Sequence, residues 1–278
     1  TYVFPQFLYG SSLWVFLLRK TFRYDEPLVW GYGEVWLKLK SLYRKCARWI
    51  LGVHPNTSGE AVLVRLGWLS LDYVLALHGL KLFLRLLHGQ SGSSLQACAR
   101  DRGVDPDVLG HGPFFRRAHE FLVYLNGSSD RDLFSESILK NDGPLREALF
   151  SDLNRCWQMY EGGSRTRQLH GAWKGPAIYL GMRRKIGTSY LHGACCGTGV
   201  LRAVMAESGY KGPVSCRKGC DETETLEHII FECQHFSECR IKIKRACANL
   251  QIPFNLTNTM CHPGLHYLTE KFFIVLYE

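Results

Sequence analysis

Acidic residues are nearly missing from one stretch of this 278-residue chain. Between Ser164 and Cys220 there is one, Glu207, against ten Lys and Arg. Beyond Cys233 the carboxylates are Glu238, Glu270 and Glu278, so no acidic cluster is left there for a metal-dependent nuclease. No Asp-Asp pair occurs on a hairpin turn, which excludes a two-metal polymerase centre within the chain. There is no Gly-x-x-x-x-Gly-Lys-Ser/Thr phosphate loop and no Gly-x-Ser-x-Gly elbow. A cysteine nucleophile needs a positioned His base. Cys195-Cys196 follow His192 closely, but sequence neighbours need not face each other. The chain therefore reads as non-catalytic.

Long apolar runs are also lacking. Residues 1–18 are apolar, but Pro5, Gln6, Gly10, Ser11 and Ser12 interrupt them and no basic residue precedes them. That excludes a signal peptide and a membrane span and leaves a buried helix over Phe7–Leu18. The start at Thr1, inside this apolar run, points to a fragment of something longer. The 11 cysteines show no disulfide-like spacing outside residues 216–233. Cys46, Cys98, Cys156 and Cys247 sit singly in helical stretches, which favours a reducing compartment. Three Asn-x-Ser/Thr matches, at Asn56, Asn126 and Asn255, are of a kind that arises by chance.

What is present is a ligand motif. Cys216, Cys220, His228 and Cys233 form C-x3-C-x7-H-x4-C. Thiolates and imidazole are the groups Zn²⁺ prefers, and four of them close a tetrahedral structural site. Gly219 lets the first pair turn tightly. The second pair lies on Thr225–Cys233, which reads as a short helix. Ligands five apart cannot share one face of a regular helix, so it must end or distort near Cys233. His235 and Cys239 stand nearby as alternative ligands.

Charge surrounds this motif unevenly. The net charge is +9. Residues 1–59 carry +5 and residues 164–220 carry +9, whereas residues 60–163 carry −2 and residues 221–278 carry −3. A basic stripe beside a zinc module is the footprint of phosphate-backbone binding; the plainer reading is a solvated face. Lys38, Lys40, Arg44, Lys45 and Arg48 lie off the apolar stripe of a helix beginning at Glu34, whose expected core face is Val35, Trp36, Leu39, Leu42, Tyr43, Cys46 and Ile50. In the basic segment, Trp173, Tyr179 and Tyr190 could stack on unpaired bases, though any one of them taken singly reads better as a core residue.

The helix signals continue. Leu51-Gly52, with Pro55 beyond, stops the first helix. Ser58 opens a short one that ends before Gly67, and Ser70 opens a strongly apolar one through Leu87. Gly89 to Ser94 reads as a linker. Phe114–Leu125 and a helix from Pro144 follow, the latter with a stripe of Leu145, Leu149, Leu153, Cys156, Trp157 and Tyr160. Arg240, Lys242, Lys244 and Arg245 mark a basic helix, and Leu268, Phe272, Phe273 and Leu276 a final apolar one. The fold class expected is mostly α with a small zinc-knuckle module.

Three blocks, taken in order, resemble a family. Leu8-Tyr9-Gly10 with Leu13-Trp14 resembles the stretch that follows the palm in non-LTR (LINE-type) retrotransposon reverse transcriptases. Arg48-Trp-Ile-Leu-Gly-Val53 with Glu60–Leu71 is similar to their thumb. Arg184–Leu191, with the two cysteines, Glu224–His228 and Cys233, resembles their C-terminal zinc motif. The blocks span roughly residues 5–235. The resemblance implies a C-terminal fragment of a retrotransposon polyprotein, whose activity is RNA-directed DNA polymerisation. The family's catalytic aspartates would lie upstream of Thr1, so no catalytic residue is carried over. Only 45 residues follow Cys233, too few for the nuclease domain some relatives carry there.

On this reading residues 1–90 form a thumb-like helical region and 91–163 a helical connection. Residues 164–215 form a basic nucleic-acid-binding segment, 216–239 the CCHC module, and 240–278 the C-terminal helices. Structural Zn²⁺ is the expected cofactor. RNA or DNA and the upstream palm and fingers are the expected partners, with no membrane and no small-molecule substrate. The expected contacts are Lys38, Lys40, Arg44 and Arg48, then Arg165, Arg167, Lys174, Arg183, Arg184, Lys185, Arg217 and Lys218. The expected location is the nucleus, with a cytoplasmic ribonucleoprotein stage. The rivals are a stand-alone zinc-containing nucleic-acid-binding protein, a zinc-stapled structural or protein-interaction module, and a decayed copy without a selected function.

Overall fold

The structure, a computed structural model, describes residues 34–88, 113–127, 132–160, 164–170, 186–198, 201–207 and 209–277. The helix expected at Phe7–Leu18 and the linker after the apolar helix lie outside them. The described residues are mostly helical and contain no strand; one isolated antiparallel bridge joins Ser215 and Thr223. Among the described residues no single helix is long and apolar enough to cross a membrane.

Helix α1 spans Glu34–Leu51. It stops where the sequence says it stops, at Gly52 with φ 67°, a left-handed conformation that glycine adopts without a Cβ clash. Its core face differs from the expected one. Tyr43, Ala47 and Leu51 are buried, while Leu42 is 42% exposed, Ile50 40%, and Cys46 is exposed. The buried row lies one residue further along than the apolar stripe. Ala47 carries little weight in a hydrophobic pattern, yet its small side chain permits close packing, and the Tyr43 ring settles 5.6 Å from Trp68.

Helix α2 spans Gly59–Leu66 and helix α3 spans Leu71–Leu87. Ser58 caps α2 by accepting from the Ala61 amide at 3.3 Å, and Gly67 closes it at φ 63°. Such a cap contributes about 1 kcal/mol. Ser70 precedes α3 as expected but makes no side-chain capping bond.

The helices group into two compact units. One takes Thr1–Lys40 and Leu69–Met159, and its described helices after α3 are α4 (Pro113–Asn126), α5 (Ser137–Lys140) and α6 (Gly143–Met159). Leu80 and Leu84 of α3, Phe121 and Leu125 of α4, and Leu145, Leu149 and Trp157 of α6 build its core. The α6 stripe is the expected one except at its end, where Tyr160 lies past the helix and is exposed. Asp152, buried, accepts from the hydroxyls of Tyr73 and Tyr124 and from Arg155.

The other unit takes Ser41–Trp68 and Tyr160–Glu278. Its further helices are α7 (Ser164–His170), α8 (Ile186–Cys195), α9 (Arg202–Glu207), α10 (Ser237–Asn249), α11 (Leu256–Cys261) and α12 (His266–Tyr277). Gly187 lets α8 approach α12: a Cβ there would stand 2.7 Å from the Glu270 carbonyl oxygen. Leu191, Cys195, Ile229, Ile230, Phe236, Ile243, Phe272, Phe273 and Leu276 share one buried cluster, and Cys216 and Cys233 belong to it. Full burial of each such large side chain contributes about 1.5–3 kcal/mol. Two of the four candidate ligands, Cys216 and Cys233, are thus anchored in the core.

Candidate metal centre

The loop from Cys216 to Cys220 turns on Gly219, which has φ 88°; its amide donates to the Cys216 carbonyl at 3.0 Å. The chain then folds back on itself. Cys216 donates to the Glu222 carbonyl at 2.9 Å and Glu224 to the Val214 carbonyl at 2.9 Å. This returns the chain under the loop and leads it into the second ligand pair.

That second pair lies on a widened turn. His228–Glu232 is a π-helical turn, with the Cys233 amide donating to the His228 carbonyl at 2.8 Å. In a regular α-helix, residues five apart diverge by well over 90° at 3.6 residues per turn. The π turn adds one residue to the loop and returns the fifth residue to the same side. The distortion required by the spacing is therefore present. Thr225 opens the turn by accepting from the His228 amide through Oγ1 at 3.1 Å. Arg240, on α10, ties its end, donating to the Ile230 carbonyl at 2.8 Å and the Cys233 carbonyl at 2.6 Å.

The four ligand atoms of Cys216, Cys220, His228 and Cys233 all lie within 4.8 Å of one another. The Cys216 and Cys233 sulfurs are 3.9 Å apart, and those of Cys220 and Cys233 3.5 Å. A disulfide needs about 2.05 Å, so these are separate thiols. Two sulfurs each about 2.3 Å from a tetrahedral ion stand about 3.8 Å apart. Cys216, His228 and Cys233 are buried and Cys220 is half-buried. Both ring nitrogens of buried His228 lack a hydrogen-bond partner, although Nδ1 lies 3.6 Å from the exposed Glu232 carboxylate. A buried imidazole without partners is costly unless a lone pair meets an ion. The cluster can hold a metal ion. His235 is exposed and Cys239 half-buried, and neither belongs to this group.

Ligand spacing alone does not reveal Glu224. Its side chain is fully buried. It accepts from Arg217 Nε at 2.8 Å, Arg217 Nη2 at 2.6 Å, the Arg217 amide at 2.9 Å and the Arg202 amide at 3.0 Å. Burial pushes its carboxyl up, but these donors outweigh burial and hold it below the ordinary carboxylate range. The Arg217 guanidinium also lies 4.7 Å over the Tyr277 ring. Glu224 thus ties the Cys216–Cys220 loop to α9, and Arg217 sets that loop against α12. One Glu among several acidic residues between Cys220 and Cys233 carries no sequence signal of burial.

The basic residues expected to meet nucleic acid fall into several settings. Lys40 pairs with buried Asp72 at 2.6 Å, and Arg44 pairs with Glu60. Arg48 donates to the Thr57 carbonyl at 2.6 Å. Arg165 bridges Gln168 at 3.0 Å and Glu227 at 2.6 Å, and Arg167 donates to the Tyr160 carbonyl. Arg217 is held by Glu224, Lys218 is half-buried, and Lys38 is exposed. Lys174, Arg183, Arg184 and Lys185 lie outside the described residues.

Comparison with protein-family models, curated proteins and solved structures found no match to the chain.

Proposed function

We propose that the chain is the nucleic-acid-binding C-terminal part of a retrotransposon RNA-directed DNA polymerase. In this reading Zn²⁺ occupies Cys216, Cys220, His228 and Cys233, and the polymerase chemistry lies outside the chain. The preorganised CCHC cluster is the observation that carries the reading. A donor set of three thiolates and one imidazole with no position left for water suits structural zinc. The thumb-like and zinc-motif blocks, in family order, and the +9 charge of residues 164–220 support the nucleic-acid role. The zinc would fix the basic segment beside template RNA or target DNA, in the nucleus or in a cytoplasmic ribonucleoprotein.

One observation favours a second reading, a zinc-stapled structural or protein-interaction module. Lys40, Arg44, Arg165 and Arg217 are engaged with carboxylates of the same chain. An arginine closed on a carboxylate offers fewer donors to phosphate.

Elemental analysis and a salt titration separate the two. The expected result is zinc bound at the CCHC cluster and lost in the Cys216→Ser/Cys220→Ser double variant. RNA or DNA affinity is expected to fall linearly in log–log form with salt, each neutralised phosphate contributing a slope of about −0.7 to −0.9. Zinc without any binding at low salt would leave only the structural module. Undiminished zinc in the double variant would overturn the site itself.

A further inference from the structure

A second cluster lies in the same unit as the metal centre. Arg65, on α2, is fully buried, and its guanidinium stays charged at any pH a protein tolerates. Its donors reach His192 Nδ1 at 3.0 Å, His170 Nε2 at 2.8 Å, Cys261 Sγ at 3.4 Å and the Met260 carbonyl at 3.3 Å. Cys261 Sγ also lies 3.6 Å from His170 Nε2. The Cys195 thiol, fully buried on α8, faces the Met260 carbonyl at 3.8 Å. The ligand atoms of His170, Cys195 and Cys261 all lie within 4.8 Å of one another.

Those three groups have metal-ligand chemistry, but the charge beside them argues for an anion. Arg65 already occupies the His170 Nε2 lone pair and places a fixed positive charge against the sulfurs. A fixed positive charge close to a sulfur favours its thiolate form, and the Arg65 guanidinium stands 3.4 Å from Cys261 Sγ. The Cys195 thiol as donor, and then the Arg65 charge, hold Cys261 below the ordinary thiol range against its burial. Burial first, and then the Cys261 sulfur, push Cys195 above that range. Cys261 is half-buried, whereas Cys195 is buried.

We propose that Cys261 and Cys195 form a hydroperoxide-reactive pair, with Cys261 the attacking thiolate, Cys195 the resolving thiol, and Arg65 the group that holds the charge. In the first step the Cys261 sulfur attacks one oxygen of hydrogen peroxide. An S–O bond forms, the O–O bond breaks, and hydroxide leaves to be protonated by solvent. Cys261 is oxidised by two electrons to a sulfenic acid. In the second step Cys195 attacks that sulfur. The S–S bond forms, the S–O bond breaks, and the hydroxyl leaves as water with the Cys195 proton. The disulfide would join α8 to α11 and remove the thiolate from Arg65. A dithiol reductant would return both thiols. This inference does not depend on the nucleic-acid reading.

The test is residue-resolved mass spectrometry on the full zinc-loaded chain. Iodoacetamide alkylation of Cys261 at pH 6 is expected within about threefold of its rate at pH 8, whereas a thiol of pKa about 8.5 slows about 75-fold. Hydrogen peroxide is expected to give a Cys195–Cys261 linked peptide that dithiothreitol removes. In Cys195→Ala the reaction is expected to stop at a Cys261 sulfenic acid captured by dimedone. An ordinary pH profile for wild-type Cys261 would overturn the proposal. So would peroxide oxidation of other cysteines that leaves this pair unlinked. A second bound zinc lost in Cys261→Ser would also overturn it, since the cluster would then be a metal site.

Discussion

At Glu224 a fully buried carboxylate takes four donors from two residues. Glu224→Gln keeps the shape and removes the charge, leaving the Arg217 guanidinium, which is 23% exposed, without its counter-ion. Breaking a buried pair on one side costs about 3 kcal/mol or more, somewhat less here because Arg217 reaches solvent. Urea unfolding at saturating zinc is expected to show a destabilisation of about 2 kcal/mol; a change within error would mean that Arg217 finds another partner. His266 gives a second test at this scale. Burial first, and then Arg65 beside it, lower its imidazole to about 4, against about 6.5 when unfolded. Between those values the unfolded chain binds more protons than the folded one, so stability falls as pH drops from about 6.5 to about 4. One such group contributes at most about 1.4 kcal/mol per pH unit. His266→Phe is expected to flatten the wild-type slope in that window, with zinc kept saturating at each pH.

At the scale of the element, the π turn from His228 to Glu232 decides whether the cluster closes. Regular α geometry would turn Cys233 away from His228, whereas i and i+4 share a face. Deleting exposed Glu232 therefore leaves His and Cys four apart on an ordinary helical turn, and zinc binding is expected to survive. Inserting one alanine after Glu232 puts them six apart, which neither turn accommodates. The insertion is expected to weaken zinc by at least about 100-fold, since losing even the groups that orient ligands costs 10–100-fold. Competition against a chromogenic chelator reads both variants. Equal loss in both would show that the surrounding packing, not the turn, sets the ligand positions. α1 carries a related lesson: its pattern located the helix and its stop, but the packed row is Tyr43, Ala47 and Leu51, with Tyr43 set against Trp68.

For the molecule as a whole, Cys216 and Cys233 lie within the same buried cluster as Phe236, Phe272 and Phe273. Structural zinc in small modules contributes about 10–16 kcal/mol, comparable with the stability of a whole domain. Chelation is expected to deprotect amides from Leu201 through the π turn and into α10 in hydrogen exchange. The amides of α3, α4 and α6, with their own core, are expected to keep their protection. Loss of protection throughout in one transition would make the two units a single cooperative body; no loss anywhere would remove the metal from the stability argument.

Local chemistry was legible in the sequence because each signal acts over a few residues. Ser58 and Gly67 bounded α2, Gly52 stopped α1, and the five-residue gap from His228 to Cys233 required a distorted turn. The mostly helical class and the four clustered ligands followed from such signals. Side-chain pairing was not legible, because no periodicity encodes which buried charge meets which. Only the tertiary structure turned Arg217 onto Glu224, Arg240 onto the carbonyls of the π turn, and Arg65 onto His170, His192 and Cys261 across more than a hundred residues. An arginine reads as solvated charge until the fold supplies a partner, and burial then makes that partner obligatory.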